Sequence, residues 1–162
     1  MYFSKFPTTL YTMDDGKTYQ LSTDILVRTG FIDSVINNNV FYEEVDVPEG
    51  DSPEILADKV YGNALYHWVI LLANNIVDPV LDWPMTQNQL VEYVKQKYND
   101  DIYGEHHYED DAGHVVNKSN LAYPVSNYEY ETRINDEKRR IKIPKKEALQ
   151  QIIQEFEKTI KQ

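Results

Sequence analysis

Two short amphipathic runs on either side of Gly62-Asn63 constrain this chain more than any bulk property does. Ahead of the first run, Pro48-Glu49-Gly50 breaks the chain, and Asp51 or Ser52 stands where a helix needs its N-cap. Pro53 suits the first turn, where a missing N–H is no loss, and the Glu54 charge favours a helix start. Ile55, Leu56 and Val60 supply an apolar face, and Gly62-Asn63 is the stop signal. Leu65, Trp68, Val69 and Leu72 then recur at i, i+3, i+4 and i+7, which predicts a second helix ending at Asn74-Asn75. Upstream, residues 40–47 alternate, with Phe41, Val45 and Val47 on one face and Tyr42, Glu44 and Asp46 on the other. That pattern predicts a half-buried strand. Ile76-Val77 reads as a return strand before Asp78-Pro79, so the order is strand, helix, helix, strand.

Asp82-Trp83-Pro84 closes this module. Thr86 and Gln89 then form a capping-box pair for a third helix reaching about Tyr98, with Leu90, Val91, Tyr93, Val94 and Tyr98 as its stripe. Asp110-Asp111-Ala112-Gly113 predicts a hairpin turn between residues 106–109 and 114–117. Residues 128–134 and 138–143 read as two strands around Asn135-Asp136. Pro144 opens a last helix whose stripe is Leu149, Ile152, Ile153, Phe156 and Ile160. Residues 1–39 show little periodicity: Ile25-Leu26-Val27-Arg28 reads as a short strand and Asp33-Ser34-Val35-Ile36 as a helical turn within an extended arm. The fold class is α+β, with an N-terminal arm (1–39), a central βααβ module (40–84), a linking helix (85–98) and a C-terminal lobe of β-hairpins plus a terminal helix (99–162).

Several function classes are disfavoured at once. A chain of 162 residues with 41% apolar content holds one core with extensions, or two small lobes. It has no cysteine, which removes disulfides and thiolate metal sites. Met1-Tyr2-Phe3-Ser4-Lys5-Phe6-Pro7 lacks the apolar core of a signal peptide, and the longest apolar run, residues 68–73, is too short to cross a bilayer. The expectation is a soluble protein that does not engage membrane. A net charge of −11 argues against nucleic acid as a partner, because phosphate repels such a surface. Residues 1–132 carry 7 Lys+Arg against 22 Asp+Glu, whereas residues 133–162 carry 9 against 5. Such asymmetry predicts charge-complementary contacts, either within the chain or with neighbouring subunits.

The chemistry candidates are weak. His106-His107-Tyr108-Glu109, with His114, is the best metal-ligand set. Adjacent residues of a strand point to opposite faces, so His106 and His107 are not expected to share an ion; polar positions on an exposed hairpin are the stronger reading. The acid pairs Glu43-Glu44 and Asp110-Asp111 diverge for the same reason, or sit in a turn, and do not make a glycosidase site. There is no Gly-rich phosphate loop and no Gly-x-Ser-x-Gly elbow. No catalytic, cofactor or metal residue is assigned, and the chain reads as a non-enzyme. Six of the 13 tyrosines lie between Tyr98 and Tyr130, which suits either a docking surface or aromatic cover for a small sheet. The basic residues 138–146 suit an acidic surface.

Residues 42–57, a strand followed by Gly50-Asp51 and an apolar helix, resemble a LysM module, and Tyr61-Gly62-Asn63 and Leu72-Ala73-Asn74-Asn75-Ile76 fit its continuation. The wider stretch is similar to the small LysM-like baseplate wedge proteins of T4-type contractile-tailed bacteriophages. It comprises Tyr61-Gly62-Asn63, then His67-Trp68-Val69-Ile70-Leu71-Leu72-Ala73-Asn74-Asn75-Ile76-Val77-Asp78-Pro79, then Asp82-Trp83-Pro84. The opening Tyr2-Phe3-Ser4-Lys5-Phe6-Pro7 and the segment Tyr128-Glu129-Tyr130-Glu131, read as a strand, share the likeness. The resemblance implies a structural virion subunit of the tail baseplate, assembled in the host cytoplasm and present in multiple copies. It would join other wedge subunits and a sheath-initiator-like protein, with no cofactor. Candidate interface residues are Tyr2, Phe3, Phe6, Trp83, Tyr123, Tyr128, Tyr130, Arg139 and Arg140. The competing expectation is a LysM-type peptidoglycan-binding module of a tail-associated protein. Acidic Glu49, Asp51 and Glu54 near its groove give that reading no positive support.

Overall fold

A computed structural model describes residues 2–13, 16–25 and 40–160. Five α-helices and seven strands are present among them. The chain divides into two compact units that do not follow sequence order: Met1–Val45, Asp51–Pro79 and Lys142–Gln162 make the first, and Asp46–Gly50 with Val80–Ile141 make the second.

The first unit opens with a 3₁₀ turn, Tyr2–Lys5, and a hairpin of β1 (Thr8–Thr12) and β2 (Tyr19–Thr23), paired antiparallel with Leu10 opposite Leu21. The sequence reading missed this hairpin because none of its strand residues is buried, so burial imposes no alternation. Ile25 lies in a turn; the remainder of the strand expected there, and the helical turn at 33–36, lie outside the described residues.

Helix α1 (Pro53–Tyr61) starts and stops on the residues that predicted it. The Ser52 hydroxyl accepts the Ile55 amide at 3.3 Å, and Gly62, at φ 75°, sends its N–H back to the Asp58 carbonyl at 2.8 Å. The buried face differs from the expected one: Pro53, Leu56, Ala57 and Tyr61 are inside, while Ile55 faces solvent. Helix α2 (His67–Ala73) buries Trp68, Val69, Ile70 and Ala73, whereas Leu65 is exposed. A 3₁₀ turn, Ala64–Tyr66, precedes α2, and its tighter winding breaks the phase of a stripe counted from Leu65.

The return strand expected at Ile76-Val77 is a turn. Asn75 takes a left-handed conformation at φ 54°, and the Ile76 amide folds back onto the Leu71 carbonyl at 2.9 Å. The strand beside β3 (Tyr42–Asp46) is instead β7 (Arg140–Pro144), far along the chain. The Asn74 side chain borders β7 as a strand would: its amide donates to the Lys142 carbonyl and its oxygen accepts the Lys142 N–H, both at 2.8 Å. Tyr42, expected to face outward, is buried. Pro144 ends β7 and does not open a helix; α5 (Leu149–Ile160) begins later and buries all five residues of its predicted stripe. Phe156 packs against Trp68 at 4.9 Å between ring centroids. Full burial of one such side chain stabilises by about 1.5–3 kcal/mol.

In the second unit, α3 (Gln87–Lys97) carries the predicted capping box, with both Thr86–Gln89 contacts formed, and buries Leu90 and Val94. Strands β4 (Glu105–Glu109), β5 (Val115–Val116) and β6 (Tyr123–Ser126) form one sheet in the order β5-β4-β6. The turn at 110–113 sits where it was expected; β6 was not foreseen. Residues 128–134, read as a strand, belong to helix α4 (Asn127–Glu137). A second capping box, Ser126 with Glu129, starts it. Its buried residues are Asn127, Glu131 and Asn135, at i, i+4 and i+8. A helix whose inner face is polar leaves no apolar period to read.

Candidate interaction surfaces

The polar face of α4 is satisfied residue by residue. The Glu131 carboxylate, 4% exposed, takes the Lys97 ammonium at 2.7 Å and the Tyr98 hydroxyl at 2.8 Å. That contact holds the Lys97 ammonium protonated well above its ordinary range. Asn135 clamps a loop backbone: the Met85 N–H donates to its oxygen at 2.7 Å, and its amide donates to the Met85 carbonyl at 3.0 Å. Arg139 reaches the same carbonyl at 3.4 Å and Asp136 at 3.1 Å. Beside this clamp lies a hollow of about 280 Å³ with Leu81, Leu90 and Ile134 as apolar lining and Lys97 and Lys138 among its charged groups.

The histidines contradict one expectation. A register irregularity between Glu105 and His107 turns both rings to the same side, and their Nδ1 atoms lie 2.8 Å apart. His106 stacks on Tyr130 at 3.9 Å and 14°, and partial desolvation lowers its pKa. His107 Nε2 meets Glu109 at 2.9 Å, and Arg133 binds the same carboxylate at 2.6 Å and 2.7 Å. Arg133 first, then His107, holds the Glu109 carboxyl below its ordinary range. His114 is apart from this group, exposed and bonded to Asp110. Among the described residues, no group of three or more His, Asp or Glu is arranged to hold a metal ion. No helix among them is long and apolar enough to cross a membrane.

The nine candidate interface residues fall into different settings. In the first unit Tyr2, half-buried, touches the rings of Phe3, Phe6, Trp68 and Phe156 at 4.9–5.7 Å. Phe6 is buried in that cluster, and Phe3 is 52% exposed. In the second unit Trp83 is buried, Tyr128 and Tyr130 are half-buried, and Tyr123 is exposed. The Gln87 amide donates to the Tyr128 hydroxyl. Arg139 is half-buried and Arg140 exposed. Sequence reasoning overlooked the exposed apolar residues of the β1–β2 hairpin. Their β-favouring residues on either side of Gly16 were the available signal.

These surfaces lack the convergence of an active site; the sequence match gives them a setting. Residues 41–118 match the family described as base plate wedge protein 53. Over that stretch the chain is similar to phage baseplate wedge proteins. No curated protein matches it. The matched family is described by its place in the phage base plate wedge, so the similarity points to a structural baseplate role. The matched stretch, slightly under half of the chain, runs from the start of β3 through α1, α2, α3 and β4 to the residues just after β5. The β1–β2 hairpin, α4, β7 and α5 lie outside it.

Proposed function

We propose that the protein joins neighbouring wedge subunits and a sheath-initiator-like protein while the baseplate forms, without catalysing a reaction. On this reading it is present in several symmetric copies and assembles in the host cytoplasm before tails are complete. The match of residues 41–118 to a baseplate wedge family carries this proposal. The surfaces support it: apolar and aromatic groups stay exposed at Phe3, Leu10, Tyr19, Tyr103, Leu121 and Tyr123, as contact residues do before assembly. Phe3, Tyr123 and Arg140 are the exposed contact candidates among the nine residues. Tyr2, Tyr128, Tyr130 and Arg139 would contribute the edges that remain accessible. Mass spectrometry of purified tails tests the role directly. The protein should appear at a fixed ratio to other wedge subunits, and tails from a phage lacking it should stall before the baseplate closes. Complete, infectious tails without the protein would overturn the proposal.

A further inference from the structure

The β1–β2 hairpin is unusual for a protein surface. Every residue of both strands is exposed, including Leu10 and Leu21, which face each other across the pair. The strands read Thr-Thr-Leu-Tyr-Thr and Tyr-Gln-Leu-Ser-Thr and carry no charge, proline or glycine. Natural edge strands are normally blunted by such residues, because an open edge recruits other strands. An isolated two-stranded hairpin is also only marginally stable in water.

The hydrogen-bond pattern shows what the edges offer. Met13 N–H donates to the Thr18 carbonyl and Asp24 N–H to the Pro7 carbonyl, both at 2.8 Å. Antiparallel pairs alternate between bonded and non-bonded, so Thr9–Ser22 and Tyr11–Gln20 are the bonded pairs inside the hairpin. The N–H and C=O groups of Thr8, Leu10 and Thr12 on one edge, and of Tyr19, Leu21 and Thr23 on the other, therefore point outward. The side chains of these six residues share one face, so each open edge borders the Leu10–Leu21 apolar stripe.

We infer that this hairpin accepts a third strand supplied by a different baseplate subunit. Two observations select that occupant over a second copy of this chain. A net charge of −11 makes two copies repel, and the hairpin strands carry no charge to offset it. One added strand of about five residues also buries far less than the roughly 1,200 Å² of a stand-alone interface, so it suits one joint within a larger assembly. Main-chain hydrogen bonds supply affinity, and the Leu10–Leu21 stripe selects an apolar side chain on the incoming strand. The inference rests on the proposed assembly role.

The test substitutes proline at outward-facing positions, which removes the edge N–H together with a leucine of the stripe, so Leu10→Ala and Leu21→Ala serve as the side-chain controls. Leu10 and Leu21 occupy non-bonded positions, so Leu10→Pro and Leu21→Pro each delete an edge donor without cutting a bond of the hairpin. Full-length wild type, the single variants and the L10P/L21P double variant are supplied to a phage lacking the protein, and incorporation into tails is measured. The double variant should enter tails about tenfold less, or lower, than wild type, with its melting temperature unchanged, and the more affected single variant names the edge. Normal incorporation of the double variant overturns the inference and leaves the assembly role standing. Absence of wild type from tails overturns the assembly role itself. Hydrogen exchange on wild type gives a readout free of any folding defect in the variants. The Leu10, Thr12, Tyr19 and Leu21 amides should exchange quickly in the free protein and be protected in baseplates. Equal exchange in both states refutes strand addition, and self-association of the isolated protein that the double variant abolishes refutes the choice of occupant.

Discussion

Asn135→Ala tests whether α4 holds the loop that carries Trp83. Asn135 is 4% exposed and makes two hydrogen bonds to one residue, accepting from Met85 N–H at 2.7 Å and donating to the Met85 carbonyl at 3.0 Å. Truncation removes both, each contributing about 0.5–1.5 kcal/mol net. The carbonyl retains the Arg139 guanidinium at 3.4 Å, but the Met85 N–H loses its acceptor, and stranding a donor costs about 1–3 kcal/mol where water cannot reach it. Met85 is only half-buried, so partial hydration relieves some of that penalty. The expected loss is about 2–3 kcal/mol. Asn135→Asp separates the two bonds. It keeps the acceptor but sets an oxygen where the donor was, against the Met85 carbonyl, and buries a charge. Burial and the opposing carbonyl raise the pKa of this new acid, so the variant regains stability as pH falls and the carboxyl becomes a donor. Urea unfolding in a Trp68→Phe background, which leaves Trp83 as the single indole, reads the change within the second unit. A loss under about 0.5 kcal/mol for Asn135→Ala, or an Asn135→Asp variant that weakens further in acid, would refute the clamp.

Phe156→Ala should cost about 3–5 kcal/mol, because the ring is 1% exposed and packs on Tyr2 and Trp68; urea unfolding followed through Trp68 measures it, and a loss below about 1 kcal/mol would mean α5 is not docked there. Tyr42→Phe should be neutral or stabilise by about 1 kcal/mol, since the Tyr42 hydroxyl is buried with no hydrogen-bond partner among the described residues and its pKa is pushed up to about 12 by desolvation. A clear destabilisation in thermal melts would show that the hydroxyl has a partner after all. Arg133→Ala should weaken the second unit most at neutral pH. Glu109 is held below its ordinary value of 4.5 chiefly by Arg133, so its contribution is present above that value and is lost as pH falls through the depressed one. The gap between variant and wild type should therefore narrow below about pH 4.5, and a gap that does not vary with pH refutes the assignment.

The elements legible in the sequence are those marked by a cap or by a strong apolar stripe. Ser52 with Gly62, Thr86 with Gln89, and the five-residue stripe of α5 each fixed a helix. Where the inside is polar, the same logic misleads. Tyr128, Tyr130 and Thr132 alternate like a strand, and the face that α4 buries offers Asn127, Glu131 and Asn135, whose fit depends on partners at Asp101, Lys97 and Met85. Only the Ser126–Glu129 spacing announced a helix. Ile76-Val77 failed for a different reason: its β-branched residues suit a strand, but the edge of β7 is already bonded by the Asn74 side chain. Residue type alone could not sort the candidate surface, because Phe6 and Trp83 are as aromatic as Phe3 and Tyr123 yet lie inside their units.

Several basic residues of the C-terminal segment are engaged within the chain. Arg133 is bound to Glu109, Arg139 to Asp136 and Lys158 to Glu155, while Lys138 and Lys145 donate to the Leu81 and Val40 carbonyls at 2.7 Å and 3.0 Å. Each of these contacts lies inside one unit. The basic C-terminal residues thus act mostly as internal ties, and their attraction for an outside acidic surface is correspondingly reduced. Glu43, Glu44, Asp46 and Glu49 are exposed along and after β3. Surface pairs of this kind add little stability individually, but the acidic excess that remains acts at longer range. On the proposed assembly role it would favour encounter with basic neighbours over encounter with another copy. The uncharged hairpin and the exposed aromatic groups would then decide how tightly they hold.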